Sequence, residues 1–250
     1  MGPLAAIARS LAPGLLALAI LLDALDAFAG GCGGPPRRAI DALRDSRTGE
    51  FTPMSYKRIQ GTGGQVLLAK GSIGEGEAER LATAIRQAGQ LNEIWLYSAG
   101  GNSAEGMKMG RLILKLGLAT RVPDGALCFS ACSMVFLGGV LRSVDPGGHY
   151  GVHMWTRYGE DDAARILAVL KKALDGAKTE SQQQALVKDL KELLQSIERK
   201  NADYARERAN YLIEMSVSLR LMIPNVQTDS GNQHWLCPEE LKSFNVVNVD

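Results

Sequence analysis

The chain has almost no net charge to offer a partner. Twenty-eight Lys and Arg stand against 27 Asp and Glu, a formal balance of +1 over 250 residues, so no nucleic acid or strongly charged surface is expected as a partner. Histidine is scarce, with only His149, His153 and His234. None stands in the converging Cys, His or carboxylate spacing that a metal site needs, so no metal and no cofactor is expected. The N-terminal apolar run, Leu11 to Leu22, stops at Asp23, short of the roughly 20 residues that cross a bilayer. Glycine and proline are missing from Ser181 up to Pro224, which allows unbroken helix there. What is present is ordinary for a globular chain: 46% hydrophobic and 22% charged residues, enough to bury one core.

Arg9 is the only charge before the Leu11–Leu22 run, and Ala27-Phe28-Ala29 follows as a small-x-small site. Residues 1–29 therefore read as a secretory signal peptide. The alternatives are an uncleaved anchor helix or a buried core helix. Cys32 raises the question of lipidation, but Ala29 stands where that signal wants a large aliphatic residue. Residues 30–60, opening with Gly30-Gly31-Cys32-Gly33-Gly34-Pro35-Pro36, read as a linker and N-terminal extension.

Regular structure is expected from about Gln65. Val66 to Ala69 reads as a buried strand, and Glu77 to Ala88 as a helix with Ala78, Leu81, Ile85 and Ala88 on one face. Ile94 to Tyr97 is the next strand, ending in Ser98-Ala99-Gly100-Gly101-Asn102. A helix follows with Met107, Gly110, Leu112, Ile113 and Leu116 as its buried side, then a short strand over Ala119–Val122. Alternation of strands and helices with short connections predicts a parallel α/β arrangement. Residues 158–220 read as a helical insertion. Asp161 to Ala173 is a first helix, and Leu186, Leu190, Leu193, Ile197, Tyr204 and Tyr211 then form a heptad seam. That seam either folds back as an antiparallel pair or mates with another subunit, which would bury Leu190 and Leu193 between copies.

The chain is organised around Ala126 to Trp155. A short apolar run, Ala126-Leu127-Cys128, enters Ser130-Ala131-Cys132-Ser133 and then Met134 to Leu137. Strand, tight turn and helix lift a hydroxyl out of the turn and place it at a helix N-terminus. His153 ends a second apolar run and supplies a base in the right order for a nucleophile–base pair. The Gly100-Gly101 turn can leave backbone N–H groups free for an oxyanion.

These segments resemble a family, the Clp protease proteolytic subunit within the ClpP/crotonase superfamily. The matching residues are Ser98-Ala99-Gly100-Gly101, Cys132-Ser133-Met134 and Gly151-Val152-His153. An exported branch of ClpP-like proteins is more similar still, through Cys128-Phe129-Ser130-Ala131-Cys132, Gly138-Gly139 to Arg142, and Gly151-Val152-His153. The resemblance covers residues 65 to 158 well and 204 to 250 loosely. It implies a ClpP/crotonase-like ββα superhelix over 61–250 with the 158–220 insertion, a homo-oligomer, and a peptide or protein substrate.

Carried onto this sequence, the resemblance implies Ser133 as nucleophile and His153 as base, with the N–H groups of Gly101 and Met134 as oxyanion donors. Ser130 is the alternative nucleophile, since the exported branch shares it more regularly. For the third member Asp229 is the nearest carboxylate before Trp235-Leu236-Cys237-Pro238-Glu239, and Asn232 could orient an imidazole instead. His149 reads as an exposed turn residue. Cys128 and Cys132 flank the turn and are disulfide candidates, with Cys237 as a competing partner. Cys132 lacks an activating cation and is a poor nucleophile. The expected function is an ATP-independent serine hydrolase, a peptidase of the periplasm or cell envelope. A non-catalytic oligomeric scaffold or peptide-binding protein is the alternative. A crotonase-type acyl-CoA enzyme is disfavoured, because coenzyme A is a cytoplasmic currency. Membrane contact is expected only if the N-terminal segment stays uncleaved or Cys32 is lipidated.

Overall fold

A computed structural model describes residues 32–61, 63–154, 160–176, 178–229 and 231–249. The signal-peptide reading of residues 1–29 lies outside them. The chain is a mixed α/β protein built on two sheets. In the first, the strands run in the order β1 (Ser55–Gly61), β2 (Gly64–Lys70), β3 (Glu93–Tyr97), β4 (Ala119–Val122) and β6 (Arg142–Val144). β1 is antiparallel to β2, and the rest are parallel. The second sheet sets β5 (Leu127–Phe129) parallel to β7 (His149–Val152), with β8 (His234–Trp235) antiparallel at its edge.

Helices α2 (Glu77–Ala88) and α3 (Ser103–Leu116) are the crossovers between β2, β3 and β4, and α4 (Ala131–Leu137) leaves β5. α3 packs between α2 and α4. This double contact corrects its expected buried face: Met109 is fully buried alongside Met107 and Ile113, while Leu116, on the last turn, is 46% exposed. α3 and α4 approach very closely, since a Cβ on Gly138 would lie 2.1 Å from the Gly110 carbonyl oxygen. Only glycine admits that contact.

Of the stretch 30–60, read as linker and extension, the described residues from 32 onward are built into the folded unit. Helix α1 (Arg37–Asp41) precedes β1, and Ala39, Leu43 and Met54 are buried. The Tyr97 hydroxyl donates to the Ala39 carbonyl at 2.6 Å. β1 carries little signal in the sequence because its residues alternate weakly and mostly face solvent. Arg142, in the Gly-Gly-x-x-Arg segment, is a structural residue. It is buried and donates to the carbonyls of Val246 (2.8 Å), Asn245 (2.9 Å) and Gly139 (3.0 Å), pinning the C-terminal segment to the sheet.

Helices α5 (Glu160–Leu174) and α6 (Glu180–Glu214) pair antiparallel, with Lys172 Nζ 2.6 Å from Asp189 Oδ2. Thr179 opens α6 with a capping box to Gln182. The helix stops well before Pro224, because Ser216 turns left-handed (φ 56°) and the Val217 N–H reaches back to the Leu212 carbonyl. The heptad seam divides along its length. Leu193, 2% exposed, is buried within the chain, whereas Leu190 is 44% exposed. Tyr204, Arg208, Tyr211 and Leu212 bury the C-terminal part of α6. There the Tyr211 hydroxyl donates to the Met134 carbonyl at 2.5 Å, so α6 supports α4 from behind.

Candidate active site

Ser130 stands between β5 and α4 with φ 59° and ψ −126°. A non-glycine residue there carries about 1–3 kcal/mol of backbone strain, and this conformation lifts its hydroxyl out of the turn. The neighbours hold it there. Ser98 N–H donates to the Leu127 carbonyl, and Phe129 N–H donates to the Ser98 carbonyl, which fixes the end of β5 against the end of β3. Gly100 (φ 95°) lies against the turn: a Cβ on it would come 2.7 Å from Ser130 Cβ and 2.8 Å from Ala131 N. The Ser98 hydroxyl accepts from Gly100 N–H at 3.0 Å, fixing the glycine turn in its own place.

The Ser130 hydroxyl is 2.7 Å from His153 Nε2. His153 follows β7 directly and rests against the Phe129 ring, with centroids 5.2 Å apart. Burial is the largest influence on the imidazole and lowers its pKa from 6.5. The Met154 backbone raises it and the Arg208 charge lowers it further. The imidazole is therefore neutral at and above that value, the form in which it can accept a proton.

This geometry moves the serine paired with the histidine from Ser133 to Ser130. Ser133 is the third residue of α4 and 1% exposed, and its hydroxyl donates to the Ser130 carbonyl at 2.6 Å. One helical turn separates the two serines, and only the residue in the left-handed turn projects its hydroxyl to His153. The oxyanion assignment shifts with it. With Ser130 as the serine facing His153, the residue that follows it is Ala131 in place of Met134. Gly101 and Ala131 N–H donate to no other group among the described residues.

Asp229 does not join the pair. The chain does reach the site, since the Thr228 carbonyl accepts from Met154 N–H at 2.7 Å. The Asp229 side chain, however, is exposed, as is Asn232. His153 Nδ1 is buried with no hydrogen-bond partner among the described residues. Behind the site stand the buried Arg208 and Asn225, joined at 2.8 Å. Nothing in their sequence spacing points to the site, because they reach it through the fold of α6 and α7 (Met222–Gln227).

His149, read as an exposed turn residue, is half-buried and meets the edge of Trp235. It lies at the other end of β7 from His153, where it lines a cavity of about 480 Å³ with Cys32, Arg121 and Trp235. His234 pairs with Glu240 at 2.9 Å.

All four cysteines are bridged. Cys128–Cys132 spans the turn, with Cα atoms 5.2 Å apart, and Cys237 pairs with Cys32 instead. The second bridge places an element of the N-terminal extension against β8 and α8 (Pro238–Ser243). In the loop-closure account the two differ sharply: the long closure, 205 residues apart, is worth about 5 kcal/mol, and the short one, 4 residues apart, about 2 kcal/mol.

No protein-family model matches the chain, and no curated protein matches it. Among solved structures it is similar to a ClpP1 point mutant from Listeria monocytogenes, at 16% identity, over 71% of this chain and 85% of that one, with a TM-score of 0.39. So low a score carries no argument, and the functional reading rests on the geometry.

Proposed function

We propose that the protein is an ATP-independent serine hydrolase of the ClpP/crotonase type, acting as a peptidase outside the cytoplasm. The observation that carries this reading is the 2.7 Å contact between Ser130 Oγ and His153 Nε2, with the serine held in a strained strand-to-helix turn. Ser130 Oγ attacks the carbonyl carbon of an acyl group while its proton passes to His153 Nε2. The charge that develops on the carbonyl oxygen is met by the N–H groups of Gly101 and Ala131, each such donor lowering the barrier by about 3 kcal/mol. His153 then returns its proton to the leaving group, and water repeats the sequence on the acyl-enzyme to release the acid.

No carboxylate among the described residues backs His153. On the described residues the site is read as a Ser130–His153 dyad, in which no carboxylate supports the imidazolium of the transition state. Turnover is expected to be slow, with the acyl-enzyme readily trapped. Two disulfides support an oxidising compartment, periplasmic or secreted. The exposed Leu167 and Leu170 on α5 and Val187, Leu190 and Leu194 on α6 supply the apolar face through which we expect copies of the chain to associate. That Nδ1 has no partner among the described residues favours a second reading, a non-catalytic scaffold that retains the old cleft. A fluorophosphonate probe separates the two: stoichiometric labelling located on Ser130 by mass spectrometry supports the hydrolase, and an unlabelled folded protein supports the scaffold.

A further inference from the structure

We propose that the Cys128–Cys132 disulfide is a positioning device for Ser130, clamping the turn so that the serine hydroxyl stays on His153. The inference rests on the hydrolase reading for its consequence, but not for its geometry. Cys128 is the middle residue of β5 and Cys132 the second residue of α4, and Ser130 lies midway between them. If β5 ran on through Ser130, the two Cα atoms would stand about 13 Å apart. The bridge holds them at 5.2 Å, which excludes that extension. Both cysteines are fully buried in the main core, so a reductant has no open path to them in the folded chain.

Its short loop makes this bridge a weak brace for the whole fold, and the Cys32–Cys237 closure is far better placed for that work. What a four-residue bridge constrains is local: the reversal in which a non-glycine residue must hold φ 59°. A clamp of this kind acts on the serine half of the pair. Among the described residues no hydrogen bond to Nδ1 orients the imidazole, and the bridge aligns the hydroxyl from the serine side.

Two double variants of the full chain test the idea. In Cys128→Ala/Cys132→Ala, the rate of fluorophosphonate labelling at saturating probe should fall about 100-fold, the scale set by a displacement of about 1 Å at a reacting atom. Half-saturation should stay where it was. The ¹⁵N spectrum of His153 should change from one hydrogen-bonded tautomer to an exchanging mixture. In Cys32→Ser/Cys237→Ser, the Tm should drop while the labelling rate and the His153 spectrum stay as in the wild type. If the alanine pair does not fold, Cys128→Val/Cys132→Ala, which restores side-chain volume, takes its place. Wild-type labelling and an unchanged imidazole spectrum in the bridge-free turn would overturn the proposal. So would equal losses of labelling in both double variants, tracking Tm alone. If the wild type is never labelled, the hydrolase reading fails, and the His153 spectrum still decides whether the bridge positions the serine.

Discussion

The Ser130 turn and the α5–α6 arm are held in opposite ways. In the turn and its helix, every residue from Ala131 to Gly139 is buried, with β3, β5, α3 and α6 in contact with it. In the outer part of the arm, Leu167, Leu170, Val187, Leu190 and Leu194 are exposed, and much of the order is local: a capping box, i,i+4 charges and a run free of glycine and proline. A region fixed by tertiary contact transmits a small change directly to its chemistry. A region fixed locally tolerates change at its surface and answers mainly through whatever covers it.

The largest effect is expected at the pair itself. Ser130→Ala should reduce probe labelling by at least about 10³-fold, with His153→Ala close behind because the two act as a unit. Ser133→Ala should cost about 1 kcal/mol of stability for one lost hydrogen bond and leave labelling in place. Labelling that survives Ser130→Ala and dies in Ser133→Ala would return the nucleophile to the helix. Gly100→Ala comes next. The new Cβ would meet Ser130 Cβ and the Phe129 carbonyl oxygen at 2.7 and 2.8 Å, at a backbone φ of 95°. Labelling should be lost, with about 1–3 kcal/mol of stability in chemical denaturation. A well-folded, fully reactive Gly100→Ala would show that the turn is looser than the packing demands.

The pH profile should show a smaller effect. Burial first, and the Arg208 charge as well, hold the His153 pKa below 6.5. A depressed pKa leaves the base neutral as pH falls through 7, so the labelling rate should stay level there and decline only below pH 6.5. An acid limb centred above 6.5 would contradict that environment. The smallest effect on the folded chain is expected at Leu190→Glu, about 0.5 kcal/mol or less at an exposed site. Its signature is instead a smaller particle in light scattering. An unchanged mass would mean that the arm's apolar face is not a subunit contact.

Much of the framework is legible in the amino-acid sequence. The α2 boundaries, the Ile94–Tyr97 strand, the short Ala119–Val122 strand and the strand–turn–helix around Ser130 all follow from apolar spacing and glycine punctuation, because burial on two faces writes itself into periodicity. β1 is not legible, since a half-exposed edge strand has little apolar signal to give. Nor is the partner of Cys237, because connectivity among four cysteines depends on which Cα atoms the fold brings close.

Composition and order alone determined that a glycine turn, a pair of serines and a histidine follow one another along the chain, because those residue types and their order are written in it. Which serine meets the histidine was decided only in three dimensions. Ser130 and Ser133 are one helical turn apart and chemically identical, and the choice depends on Gly100 packing against the turn and holding Ser130 in a left-handed conformation. Tertiary structure likewise decided that Asp229 turns to solvent while the chain beside it reaches the site. A side chain's direction depends on the backbone of its neighbours, and spacing along the sequence does not encode it.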